Sequence, residues 1–316
     1  MIRIASLTCV FLVAACASTA PLPEAAAPAP EASPVPVAEL SCAPWDEFGG
    51  LSAGRNDAFA ALEPAARHQL ARDLVACLDD PDPEVRDGFA YETFAILMRG
   101  DLLDTETLQG LKADLLSALA TADEDPGGFR GPFAALVLAE VARTDRIAPW
   151  MSEQERTGLI AAAADYLSGL TDYRGFSDTE GWRHGVAHTA DLLMQMSLNG
   201  ELTRAQGDAI LAAIAGKAAS ADHAYIFGEP QRLAMPLFYL SRQDMYSAEE
   251  WEAWFGALWP ADDPLRVDTY KSEAALRRLH NLTGFADAVY VSAVASDNEA
   301  YAPLAAGAFA LIRSLP

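Results

Sequence analysis

Cysteine is scarce in this chain. Only Cys9, Cys16, Cys42 and Cys77 occur in 316 residues, and no two stand as C-x-x-C. That spacing excludes a zinc knuckle and a thioredoxin-like dithiol. Basic charge is also in short supply, with 22 Lys and Arg against 45 Asp and Glu. The resulting formal net charge of −23 is spread along the chain and excludes nucleic acid as a partner. The sequence has no G-x-S-x-G elbow, no Cys/His nucleophile pair and no glycine-rich phosphate loop following a strand. It has no convincing strand pattern at all.

What the N-terminus does contain is an address. Met1-Ile2-Arg3 is a short positive start, and Ile4 to Ala15 is an apolar run too short to span a bilayer. The run ends Val13-Ala14-Ala15-Cys16, which resembles the lipobox of bacterial lipoproteins. That resemblance implies cleavage of residues 1–15 as a signal peptide and lipidation of Cys16. Residues 16–44 then carry Pro21, Pro23, Pro28, Pro30, Pro34, Pro36 and Pro44 among Ala, Ser and Glu. Such composition predicts an extended tether. The expected location is the bacterial cell envelope, with a lipid anchor in the membrane and the folded domain in the periplasm. In that oxidising compartment Cys42 and Cys77, the two cysteines left over, are expected to pair as a disulfide.

Residues 45–316 read as one all-α domain. Asp82-Pro83 is an N-cap followed by a first-turn proline, and Gly100 ends the helix that Val85, Phe89, Phe94 and Leu97 face inward. Three capping boxes, Ser152/Glu155, Thr203/Gln206 and Ser247/Glu250, start helices running to about Leu170, Ala219 and Trp259. Further helices are predicted from near Pro230 and over 272–280, 283–293 and 298–314. Loops are short, so neighbours pack antiparallel, in helix pairs of roughly 40 to 50 residues. The stretch Leu78 to Arg86, with its acidic proline turn, resembles the turn between HEAT repeats. The expected architecture is an irregular α-solenoid of antiparallel helix pairs, HEAT- or armadillo-like. A compact α-bundle or toroid is the alternative.

The candidate site is Gly181 to Leu193. On one helix His184, His188 and Asp191 fall at i, i+4 and i+7 and share a face, with Gln195 a turn later. Trp182, Val186 and Leu193 point the other way. Two roles suit these residues. In one, Asp191 accepts from His188, Arg232 pairs with Asp191 or Glu229, and the polar stripe either docks helix pairs or lines a groove on the concave face for a protein or peptide partner. In this reading there is no cofactor and no catalysis. In the other, His184, His188 and Asp191 hold a divalent metal such as zinc, with Glu229 or His223 completing the shell, in a metal-dependent enzyme. Gly185 stands where a zinc protease has its glutamate, so that particular mechanism has no base. Trp251, Trp254, Phe255 and Trp259 read as core, His68 and His280 as solvated, and Arg277-Arg278 with Lys271 as a salt-bridging face.

The motifs Asp172-x-Arg174-Gly175-Phe176 and Gly181-Trp182-x-His184-x-x-Ala187-His188-x-x-Asp191-Leu192-Leu193 resemble the bacterial DUF2785 family, as do Gly228-Glu229 and Arg232-Leu233-Ala234. The resemblance covers about residues 80–290, and that family has no assigned function to carry over. Its members usually place an acidic pair between the Glu and the Arg. Here Pro230-Gln231 stands there.

Overall fold

A computed structural model describes residues 42–49 and 55–316. The expected signal peptide, the lipidated Cys16 and most of the tether lie outside the described residues. The folded body starts earlier than its composition suggests. Helix α1 (Ala43–Phe48) carries Pro44 in its first turn, where a proline is tolerated, and Cys42 and Pro44 are buried. Cys42 is joined to Cys77 across a sequence separation of 35, which closes a loop worth about 4 kcal/mol in the chain-entropy model.

Helices α2 (Arg55–Ala61) and α3 (Pro64–Asp73) follow, then a 3-10 turn over Leu74–Cys77. The Asp82 carboxylate accepts from Glu84 N at 2.8 Å and opens α4 (Pro83–Val85). That helix runs into α5 (Glu92–Arg99) through a π turn, Arg86–Tyr91. Next come α6 (Thr105–Ala120), α7 (Arg130–Ile147) and α8 (Glu153–Gly169). Beyond them lie α9 (Gly185–Ser197), α10 (Arg204–Ala218), α11 (Glu229–Ser241) and α12 (Ala248–Gly256). The chain closes with α13 (Pro264–Val267), α14 (Glu273–Val294) and α15 (Ala302–Ser314). All three capping boxes are formed, at the starts of α8, α10 and α12. The all-α expectation therefore holds, with two corrections. The predicted helices over 272–280 and 283–293 are one, α14, because Asn281 to Gly284 keep helical backbone while the fully buried Asn281 side chain bonds outward to Tyr225 N, Ser220 O and His223 O. Where no strand was expected, a two-residue hairpin forms, β1 (Phe176–Ser177) against β2 (Gly181–Trp182).

Packing joins alternate helices. One row runs α7 on α9, α9 on α11 and α11 on α14; the other runs α3 on α6, α6 on α8 and α8 on α10. Helix α6 also packs on α7, and α15 packs on both α12 and α14. Helix α7 is sandwiched and correspondingly apolar on several sides, with Phe133, Val137, Leu138 and Val141 buried. Trp251, Phe255 and Trp259 are core, and Arg277, Arg278 and Lys271 pair with Glu273, Asp263 and Asp268. His68 is half-buried and 3.6 Å from Asp104; His280 is exposed, with Nε2 2.9 Å from Tyr225 O. Among the described residues no helix is long and apolar enough to cross a membrane.

Candidate functional site

The hairpin is locked onto the body by two buried arginines. Arg86 Nη2 donates to Glu180 O at 2.8 Å, and its guanidinium lies 4.0 Å from the Phe129 ring centre. Arg183 Nε donates to Gly127 O at 2.7 Å and covers Phe129 from its own side at 4.1 Å. Gly181 turns the hairpin at φ +71°, and a Cβ there would sit 3.1 Å from Pro83 Cβ. At Gly175 a Cβ would lie 2.1 Å from the Phe227 ring, so only glycine admits that close approach.

The chain then reaches His184 in a left-handed conformation, φ 57° and ψ 40°, immediately before α9. His184 is thus not on the helix, as the spacing predicts, but its N-cap. Trp182 is likewise not on the far side. It belongs to β2, and its indole stacks on the His184 ring with centroids 4.7 Å apart and planes 24° from parallel. Val186 and Leu193 do face the core. The reason is tertiary. His184 N donates to Arg174 O at 3.2 Å and Arg183 N to Gly175 O at 2.9 Å, so the hairpin ladder continues into the residues that would have been helical.

His188 is buried on α9. Its Nδ1 lies 3.2 Å from Pro132 O, a carbonyl that can only accept, so the proton is on Nδ1 and Nε2 carries the lone pair. It does not bond to Asp191. Asp191 pairs with Arg232 of α11 instead, and Glu229 turns inward to accept from Phe227 N at 2.8 Å. His223 stacks on Tyr173. His184 and His188 stay neighbours, with ring centres 5.8 Å apart, but Asp191, Glu229 and His223 each take other partners. Among the described residues no three His, Cys, Asp or Glu side chains are gathered so that they could hold a metal ion.

A cleft of about 520 Å³ opens between the hairpin and α7, α9 and α11. Of the candidate residues Trp182, His184, His188 and Arg232 line it while Asp191 and Glu229 do not, and Phe133, Leu136 and Phe227 supply apolar wall. Asp87 and Tyr91, from the π turn, complete it; sequence reasoning missed both. No local signal marks a π turn, and these residues lie about a hundred positions from His184. Burial, reinforced by the charge of Arg232, lowers the His184 pKa to about 4, against a backbone hydrogen bond at Phe227 that raises it. Burial and then the neighbouring His184 and Arg232 bring His188 to about 3. Both rings are neutral at pH 7. Burial raises Asp191 to about 6 in spite of Arg232, and raises Asp87 against the opposing pull of Arg86. His184 Nε2 is buried with no hydrogen-bond partner among the described residues.

A family model described as "Protein of unknown function (DUF2785)" matches residues 115–291, more than half of the chain, and the chain belongs to that family. The matched span contains all of α7 to α11 and the hairpin; Asp87 and Tyr91 lie before it. No curated protein and no solved structure matches the chain.

Proposed function

We propose that this protein is a non-enzymatic binding protein of the bacterial envelope, anchored by lipid at Cys16. Stacked helix pairs of HEAT- or armadillo-like type serve as its scaffold, and the cleft beside His184 takes its ligand. One observation carries the reading. A non-glycine residue is held at positive φ, with a buried, unpaired ring nitrogen in the cleft wall, beneath an aromatic ring. The first two cost stability, and such strain gathers at binding sites.

The chemistry of the wall narrows the ligand. The surroundings that keep the imidazoles neutral, burial first and then Arg232, also oppose a ligand cation. An anion would face the Nε2 lone pair of His188 and an arginine already taken by Asp191. A neutral group with O–H or N–H donors fits. The bridge between Cys42 and Cys77 supports an oxidising compartment.

The test needs no ligand. A left-handed L-residue costs about 1–2 kcal/mol and an unpaired buried nitrogen about 1–3, against about 0.5–1.5 for the stack on Trp182. His184→Gly is therefore expected to hold or raise the melting temperature, and His184→Asn to leave it within a degree or two of wild type. A clear fall in both would mean that His184 is there for packing, and the binding reading would be lost.

A further inference from the structure

Helices α14 and α15 carry an exposed apolar face. On α15 the exposed positions Ala302, Ala306, Phe309 and Arg313 follow one another at steps of four, three and four, so they form one seam along the helix. Val291 and Val294 of α14 widen it. They are 62% and 60% exposed, and Phe309 is 46% exposed. The two helices are tied together at the seam, since the Tyr290 ring stacks on Phe309 with centroids 5.5 Å apart. A contiguous apolar face rimmed by charge marks an interaction site, where scattered apolar residues do not. Charge is placed unevenly along this one. Arg313, the only charged residue of α15, closes one end, with its guanidinium 5.9 Å from the Phe309 ring centre. Asp297 and Glu299, both exposed, stand at the other end, in the turn between α14 and α15. None of these three has an ion-pair partner among the described residues.

That polarity selects the occupant. We propose that the face pairs with the same face of a second copy of this chain, antiparallel about a two-fold axis passing between Ala306 and Phe309. Phe309 of each copy then lies on Ala306 of the other, large against small. Arg313 lands beside the second copy's Ala302, within reach of its Glu299. An isologous contact makes every such pair twice. Within one chain the two charges cannot meet, because Glu299 precedes α15 and Arg313 ends it, about 20 Å away at 1.5 Å per residue. The net charge of −23 repels at long range. At physiological ionic strength the Debye length is about 8 Å, so the charges at the seam decide. A membrane surface suits the face less well. Apolar helix faces that lie on anionic bilayers are flanked by Lys and Arg, whereas Asp287, Asp297 and Glu299 flank this one against Arg313 alone.

Sedimentation velocity of the full chain between about 1 and about 100 µM tests this, with Cys16→Ser in place so that neither lipid nor a thiol there joins copies. A monomer–dimer equilibrium with a Kd of about 10 µM or below is expected. Val294→Glu changes an exposed position, so it is expected to weaken the dimer about tenfold or more and leave the melting temperature unchanged. Arg313→Glu and Glu299→Arg are each expected to weaken it about tenfold, and the two reversals together to return it to within about threefold of wild type. That recovery reads a contact between chains, since the two residues cannot pair within one. Monomer at every concentration overturns the inference. So does a dimer indifferent to Val294→Glu, or a double reversal no tighter than the singles. Binding of a monomeric chain to phosphatidylcholine–phosphatidylglycerol vesicles, abolished by Val294→Glu, would also overturn it and make the face a membrane contact.

Discussion

His188 sits where a second ring proton has no place. Its Nδ1–H is committed to Pro132 O, Phe133 packs edge-on at 5.3 Å, and burial first, then His184 and Arg232, disfavour the charged ring. With folded pKa values of about 4 and 3 at His184 and His188, below an ordinary histidine, the unfolded chain takes up protons first. Their contribution is complete above about pH 6.5 and is lost as pH falls through the folded values. Asp191 runs the other way. Raised to about 6, it contributes stability below about pH 4 that is lost as pH rises through 6. Two imidazoles oppose one carboxyl, so this site favours neutral pH. His188→Gln keeps a donor toward Pro132 O and cannot titrate, so its melting temperature is expected to fall less than that of wild type between about pH 7 and pH 4.5. Identical pH profiles would refute the assignment.

At the scale of elements, two aspartates on neighbouring helices play unequal parts. Asp145, near the end of α7, accepts from Trp150 N at 2.8 Å, Met151 N at 2.6 Å, Arg156 Nη1 at 3.3 Å and Asn199 Nδ2 at 2.8 Å. One carboxylate thus ties α7 to the start of α8 and to the turn between α9 and α10. Arg156 is buried, so Asp145→Ala strands a charge and is expected to cost about 3–5 kcal/mol in urea unfolding. Asp191 links α9 to α11 through Arg232, whose side chain is 45% exposed and stays solvated when its partner is removed. Asp191→Ala is expected to cost less than about 1 kcal/mol. Equal losses would show that the pair at the cleft is structural after all.

For the whole molecule, the acidic surface and the proline-rich N-terminal stretch fit a body held off a membrane, and the anchor is the part of the proposal that rests on residues 13–16 alone. Cys16→Ser is expected to abolish acylation and leave an uncleaved or soluble product, read by intact mass. Wild-type protein from membranes with no acyl mass added would remove the anchor while leaving the cleft untouched. A single chain holds only marginally, so the mass of more than one acyl group is the expected result.

Fold class was legible in the sequence because its signals are local. Ser152, Thr203 and Ser247 cap helices through bonds that reach three residues, and the same bonds form in the folded chain. The Gly181 to Leu193 stretch was also legible as a place of interest, and the motif resemblance is met by the family match. Its geometry was not. Helical spacing puts His184 and Trp182 on opposite faces of one helix; the ladder to Arg174 and Gly175 stops that helix at Gly185 and stacks the two rings. Helix propensity across Asn281 to Gly284 is weak, yet tertiary bonds from Asn281 carry α14 straight through. Asp87, Tyr91 and Phe227 join the cleft only through packing of elements far apart in the chain. Caps and periodicity are settled within a turn of helix. A cleft wall is settled by which distant surfaces bury one another, and that only the tertiary structure decided.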